Sequence, residues 1–248
     1  MADPAIESAL DAIVASWRDV GVMYGGADPP GKIARPVDLE RVLLDTTRLM
    51  THMPRLFNTT ATWLNAYGDI VAKHRFRRLV IDGLARELQP ALGALLDTAQ
   101  EAQNPREFSS IVARLQPAEK PDSPFAVIRG NEVFTTLAKQ RTGEIGRRWR
   151  VYLMDEPLRP KVLRPASWIM RRHPDFVLRA DFKGDLRASV MASLAFDEGA
   201  CESELALARA AGGSRAQIRK ALDNLEMTGR VRRHRSKAGT RIELLKFK

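Results

Sequence analysis

Ser214-Arg215-Ala216-Gln217, followed by Arg219 and Lys220, is a run whose side chains suit the edges and backbone of a nucleic acid. Arginine pairs bidentately with guanine and glutamine with adenine, so Arg215 and Gln217 are candidates for reading bases. Ser214, Arg219 and Lys220 are candidates for holding phosphates. A second run, Arg232-Arg233-His234-Arg235-Ser236-Lys237-Ala238-Gly239-Thr240-Arg241, concentrates cations. There Arg233, Arg235, Lys237 and Arg241 would release counterions from a nucleic-acid backbone and make binding strongly salt-dependent. Motifs for covalent chemistry are missing. The histidines, His52, His74, His173 and His234, lack a ligand spacing such as H-E-x-x-H, and no G-x-x-x-x-G-K-[ST], G-x-G-x-x-G or G-x-S-x-G occurs. The expectation is a chain that is not an enzyme and takes no cofactor or metal. A nuclease built on dispersed carboxylates is the catalytic alternative that escapes such a scan.

Those side chains need elements to present them. Ile218, Ala221, Leu222 and Leu225 share one arc of a helix opening at Ser214, which leaves Ala216, Gln217, Lys220, Asp223 and Asn224 opposite, with Arg215 and Arg219 at the flank. Two helices are predicted before it. The first opens at Asp185 after Gly184, carries Leu186, Ala188, Val190 and Leu194 on one face, and stops near Asp197-Glu198-Gly199. The second opens at Glu202 or Ser203, offers Leu205, Leu207, Ala208 and Ala211 for packing, and ends in a left-handed turn at Gly212-Gly213. Beyond Thr228-Gly229, Val231 starts a strand, the basic run forms a hairpin tip, and Ile242, Leu244 and Phe247 return to the core.

Helix, helix, glycine turn, helix and basic hairpin in this order resemble the winged helix-turn-helix regulators of the MarR, ArsR and GntR type. The resemblance rests on Leu207-Ala208, Gly212, Ser214, Ile218, Leu222, Leu225 and Gly229-Arg230-Val231, and covers about a quarter of the chain. It implies that the Ser214 helix enters a major groove while the wing touches backbone or minor groove. Gly213 departs from the pattern, since those families usually place an apolar residue there, and predicts a loosely packed turn. Winged helices also serve as protein-binding modules, and a basic hairpin can be solvated surface alone, so both alternatives stand beside DNA contact.

With 248 residues, 44% of them apolar, one to two domains with real cores are expected. Charge is unevenly placed. Residues 1–138 hold 15 basic and 17 acidic side chains, residues 139–187 hold 13 and 6, and residues 188–248 hold 12 and 7, so the whole surplus of +10 lies after residue 138. The division expected is a helical interaction or effector domain over 1–115, a linker and basic mixed α/β region over 116–184, and the winged helix-turn-helix over 185–248. The fold class is therefore mainly α with a small β-hairpin. In the first part, helical spacing runs through Ile6 to Trp17, Leu39 to Leu49 and Leu56 to Tyr67, with a breaker-rich loop over 25–36 and Gly68-Asp69 as a stop followed by an N-cap. Phe125 to Arg129 and Trp149 to Met154 are expected as short strands around a helix near 131–140.

Three further clusters invite a function. His74-Arg75-Phe76-Arg77-Arg78 raises a second helix-turn-helix over 54–84, against a helical hairpin with arginines on solvent or carboxylates. Arg147-Arg148-Trp149-Arg150 and Arg171-Arg172-His173 could stack on bases or clamp phosphates, against a solvated edge. The one cysteine, Cys201, fits a cytoplasmic setting and packing as a small apolar residue, with a redox-sensing thiol as the sharper alternative. No leader and no run of about 18 apolar residues is seen, so no membrane partner is expected. The function expected is sequence-specific transcriptional regulation by a homodimer on double-stranded DNA, with the N-terminal part serving dimerisation, a ligand or a partner protein. The rival is an adaptor or antitoxin-like protein whose helical half binds a protein, DNA contact being secondary.

Overall fold

The computed structural model describes residues 3–25, 36–100, 107–236 and 239–245. The chain is mainly helical, and an antiparallel hairpin near the C-terminus is the one sheet among the described residues. It folds into two compact units, each assembled from separate stretches of sequence. Met1–Val37, Val42–Gly68 and Gly83–Trp168 form the first, and Asp38–Arg41, Asp69–Asp82 and Ile169–Lys248 the second. This division cuts across the three segments expected, since residues 116–168 go with the first unit and 169–184 with the second. Most of the breaker-rich loop, residues 26–35, lies outside the described residues, as do Lys237 and Phe247.

The first unit is built on indoles with satisfied N–H groups. Helix Pro4–Asp19 opens on Asp3, whose carboxylate accepts from the Ala5 amide at 2.9 Å, and buries Ile13 and Trp17. Trp17 meets Trp63 of helix Arg55–Tyr67 edge to face at 5.6 Å. Trp17 Nε1 donates to Thr46 Oγ1 at 2.8 Å and Trp63 Nε1 to the Val20 carbonyl at 2.9 Å, so neither ring buries an unmet donor. Trp149 is core as well. Its ring lies against Gly93 of helix Gln89–Gln100, where a Cβ would come within 2.5 Å, and its Nε1 donates to Asp97 at 2.6 Å. That ring is unavailable for stacking on a base.

Two short strands expected in the middle of the chain are absent. Ala126–Arg129 is a single helical turn in which Arg129 and Gly130 donate back to Phe125 and Ala126, because no neighbouring strand meets those amides. Trp149 ends helix Glu144–Trp149, and beyond it Val151 and Met154 each form one isolated bridge, to Asp122 and Thr142. The helix expected near 131–140 is Glu132–Gln140, capped by Asn131. Helix Arg55–Tyr67 does stop at Gly68, in a right-handed conformation with φ −58°, where a Cβ would sit 3.3 Å from the Phe108 ring. A 3-10 turn, Gly68–Ile70, follows, and the next helix starts at Lys73.

In the second unit the local signals act as expected. Helices Leu186–Phe196, Glu204–Ala211 and Arg215–Met227 are capped by Asp185, Ser203 and Ser214, and Gly184, Gly199, Gly212 and Gly229 take positive φ between them. Val190, Leu207, Ile218, Leu222, Leu225, Val231 and Ile242 close one core. Each large aliphatic buried there is worth about 1.5–3 kcal/mol. Strand β1 (Val231–Ser236) pairs with β2 (Gly239–Leu244), Val231 opposite Leu244 and Arg233 opposite Ile242. The turn at Gly213 is tight rather than loose, because a Cβ there would approach Leu186 Cδ2 at 2.9 Å and Ile218 Cδ1 at 3.5 Å.

Helix Lys73–Gly83, through Asp82, belongs to this unit, and its anchor is a buried arginine. All five N–H groups of Arg75 are used. Nε donates to Asp197 at 2.8 Å, Nη1 to Asp38 at 2.6 Å and Glu40 at 3.1 Å, and Nη2 to Asp197 at 2.6 Å and Asp38 at 2.8 Å. Glu40, also buried, accepts from Arg179 at 2.9 Å and from the Ala72 amide at 2.8 Å. Burial opposes the charge of Arg75, but the bonds to Asp197 and Asp38 outweigh it and hold the guanidinium above its ordinary pKa.

Candidate nucleic-acid interface

Helix Arg215–Met227 turns Ile218, Ala221, Leu222 and Leu225 inward and leaves Arg215, Ala216, Gln217, Arg219, Lys220 and Asp223 exposed. Its first turn is organised by a capping box. Ser214 Oγ accepts from the Gln217 amide at 3.3 Å, and Gln217 Oε1 accepts from the Ser214 amide at 2.9 Å. Gln217 therefore has its carbonyl oxygen occupied and its amide nitrogen left to donate. A bidentate adenine contact from it would require opening the box. Arg215 and Lys220 make no hydrogen bond or ion pair with a described residue. Arg219 is held by Glu204 at 2.7 Å although 58% of its side chain is exposed.

The hairpin's cations divide by face. Residues directly opposite share a face, so Arg232, His234, Arg241 and Glu243 point one way, and Arg233 and Ile242 the other. Arg233 is engaged, with its side chain 9% exposed: it donates to Glu226 at 2.6 Å and pairs with Asp223 at 2.7 Å, fastening the wing to the Arg215 helix. A phosphate contact from Arg233 would break that fastening. His234 and Glu243 pair at 2.9 Å on the outer face. Arg232, Arg235 and Arg241 are exposed and make no side-chain hydrogen bond or ion pair with a described residue, although Glu243 attracts Arg232 and Arg241 and Glu226 attracts Arg235 at longer range.

No family model matches the chain, and no curated protein or solved structure does. The reading of the site rests on its own geometry. Asn224 is partly withdrawn from the outer face and accepts from Arg187 at 3.0 Å. Sequence reasoning overlooked that the S-x-x-Q spacing of Ser214 and Gln217 is itself a capping signal. It also overlooked Asp223 and Glu226 as anchors for the wing, which helical spacing places on neighbouring turns.

Arg233 holds the Glu226 carboxyl below the usual carboxylate range, chiefly through the side-chain bond and then through the Arg233 amide, which donates to Glu226 Oε1 at 2.9 Å. A depressed carboxylate stabilises the fold above its unfolded pKa, and that contribution fades as pH falls through the folded value. The Arg233 amide resonance is therefore expected to titrate with a midpoint below that of an ordinary glutamate. An amide shift that titrates at the ordinary glutamate pKa would contradict the anchor.

Elsewhere, the first unit contains a cavity of about 330 Å³ with Phe57, Phe125, Ile145 and Leu153 in its wall and Arg55 and Arg159 among its polar groups. Among the described residues no group of three or more His, Cys, Asp or Glu is placed to hold a metal ion, and no helix is long and apolar enough to cross a membrane.

Proposed function

We propose that the second unit is a winged helix-turn-helix reader of double-stranded DNA and that the chain is a transcriptional regulator. One observation carries the reading. Arg215 and Lys220 stand on the outer face of a capped helix with no hydrogen bond or ion pair to a described residue, as do the side chains of Arg232, Arg235 and Arg241 on the hairpin, whereas Arg75, Arg179, Arg187 and Arg233 are tied to carboxylates. Cations left on a convex helix face, with an adjoining basic ribbon, match the width and charge of a major groove and its flanking phosphates. Arg215 then reads base edges, with Gln217 donating through its amide nitrogen. Lys220 and the hairpin supply backbone contacts.

In this reading the first unit carries dimerisation and the regulatory input. Its cavity has the size of a small-molecule site, which supports a ligand as that input. A homodimer would favour two-fold operators with half-sites about one helical turn apart. The adaptor reading draws support from a different feature of the same unit: Val127, Val133 and Phe134 are 57%, 73% and 54% exposed, an apolar display suited to a protein partner.

Two substitutions test the reading helix. Arg215→Ala is expected to relax preference at one base by about 1–3 kcal/mol. Gln217→Glu keeps an acceptor for the capping box but removes the donor to adenine, so discrimination should fall while thermal stability is retained. Competition between matched and mismatched duplexes measures both. An unchanged ratio in the double variant would count against base reading by this helix.

A further inference from the structure

The Lys73 helix is docked onto the glycine turn that leads into the proposed reading helix, and its approach is backbone to backbone. Gly212 has φ +75°, and a Cβ there would lie 2.6 Å from the His74 carbonyl oxygen and 3.5 Å from Arg78 Cβ. Arg77 Nη2 donates to the Gly212 carbonyl at 3.2 Å. The start of this helix is also fixed at the Leu186 helix and the turn before it, where the Arg75 amide donates to Ser189 Oγ at 3.2 Å and Lys73 Nζ to the Lys183 carbonyl at 3.2 Å. His74, Arg77 and Arg78 therefore lie against Gly212, which precedes the Ser214 cap by two residues, although more than a hundred positions away in sequence.

We propose that Arg77 and Arg78 extend the DNA-contacting surface and hold backbone phosphates beside the Gly212 turn. This rests on the reading of the second unit as a DNA-binding head. Arg77 spends one N–H on a neutral carbonyl and pairs with no carboxylate among the described residues. Arg78 forms an ion pair with Asp82, Nε 2.7 Å from the carboxylate, with 44% of its side chain exposed, and makes no side-chain hydrogen bond to a described residue. An exposed pair of this kind is weak, and a phosphate can share the guanidinium with the carboxylate. The local field is positive as well: burial pushes the His74 imidazole pKa down, Arg77 and Lys73 push it further, and Asp185 alone opposes them. In this proposal the cluster is a flank of the reading helix.

The test uses the full chain and a fluorescein-labelled duplex of mixed sequence, with affinity measured by anisotropy across a salt series. Lys220→Ala serves as the reference for a phosphate contact in the reading helix. Arg78→Ala is expected to weaken binding several-fold at low salt and to lower the slope of log K against log salt by about 1, without changing which sequence is preferred. Asp82→Asn, which removes the competing carboxylate, should tighten binding. If Lys220→Ala lowers the slope and neither Arg78→Ala nor Asp82→Asn has an effect, the extended surface is refuted while the reading helix stands. If the wild-type chain binds no duplex at any salt, both are refuted.

Discussion

Replacing Arg75 by alanine is expected to destabilise the second unit by about 3–5 kcal/mol, the loss seen when one member of a buried ion cluster is removed and the others stay. Asp38 and Asp197 each lose a bidentate partner, and Glu40 is left with Arg179 and the Ala72 amide alone. Folding domains are stable by only about 5–15 kcal/mol, so this is a large share of the total. Arg75→Lys keeps the charge but replaces a flat five-donor fork with a single ammonium, and should fall between the two. Amide exchange measured by mass spectrometry over Leu186–Phe196, the helix that ends at Asp197, gives a local reading. Protection there should drop in the alanine variant. Wild-type protection would mean that the cluster does not bind the separate stretches together.

Gly212→Ala is the second large effect, expected at about 2–5 kcal/mol. The left-handed backbone costs a β-carbon about 1–2 kcal/mol, and forcing that carbon to 2.6 Å from the His74 carbonyl oxygen adds an overpacking cost of about 1–3 kcal/mol. Neither neighbour is a flexible side chain, so little relaxation is open to them. Two other glycines separate the contributions. Gly229 has φ +67° and open space around it, so its alanine variant bears the backbone cost alone. Gly213 has no such φ, and the one close approach of a Cβ there is to the end of Leu186, which can turn aside, Ile218 Cδ1 lying at ordinary contact distance. Urea midpoints should rank Gly212→Ala as the least stable of the three. Equal midpoints for the Gly212 and Gly229 variants would mean that the Lys73 helix does not press on the turn.

Much of the second unit was legible because its signals are local. Asp185, Ser203 and Ser214 cap helices within three residues of themselves, and Gly184, Gly212 and Gly229 mark their turns, so element order from Leu186 to Leu244 follows from short-range chemistry. The remainder depends on distant partners. Arg75 and Asp197 are 122 residues apart, and no period or cap announces that they meet. The same distance hid the role of residues 38–41 and 69–82, which hydrophobic spacing assigned to one continuous helical domain. Phe125 to Arg129 has strand-like composition, but a strand needs a neighbour, and the chain supplies none there. At the site itself, the outer face of the Arg215 helix was foreseen. Which cations stay free was not: whether Arg219 and Arg233 are spent on Glu204, Asp223 and Glu226 depends on side-chain reach.

Selection of bound DNA from a random library, carried out with the intact chain at a low and a higher salt concentration, tests DNA reading most directly. The account predicts one enriched motif, two-fold if the chain acts as a dimer, that persists at higher salt while total binding falls. Retention of DNA with no enriched motif, fading as salt rises, or no retention at either salt, would contradict it.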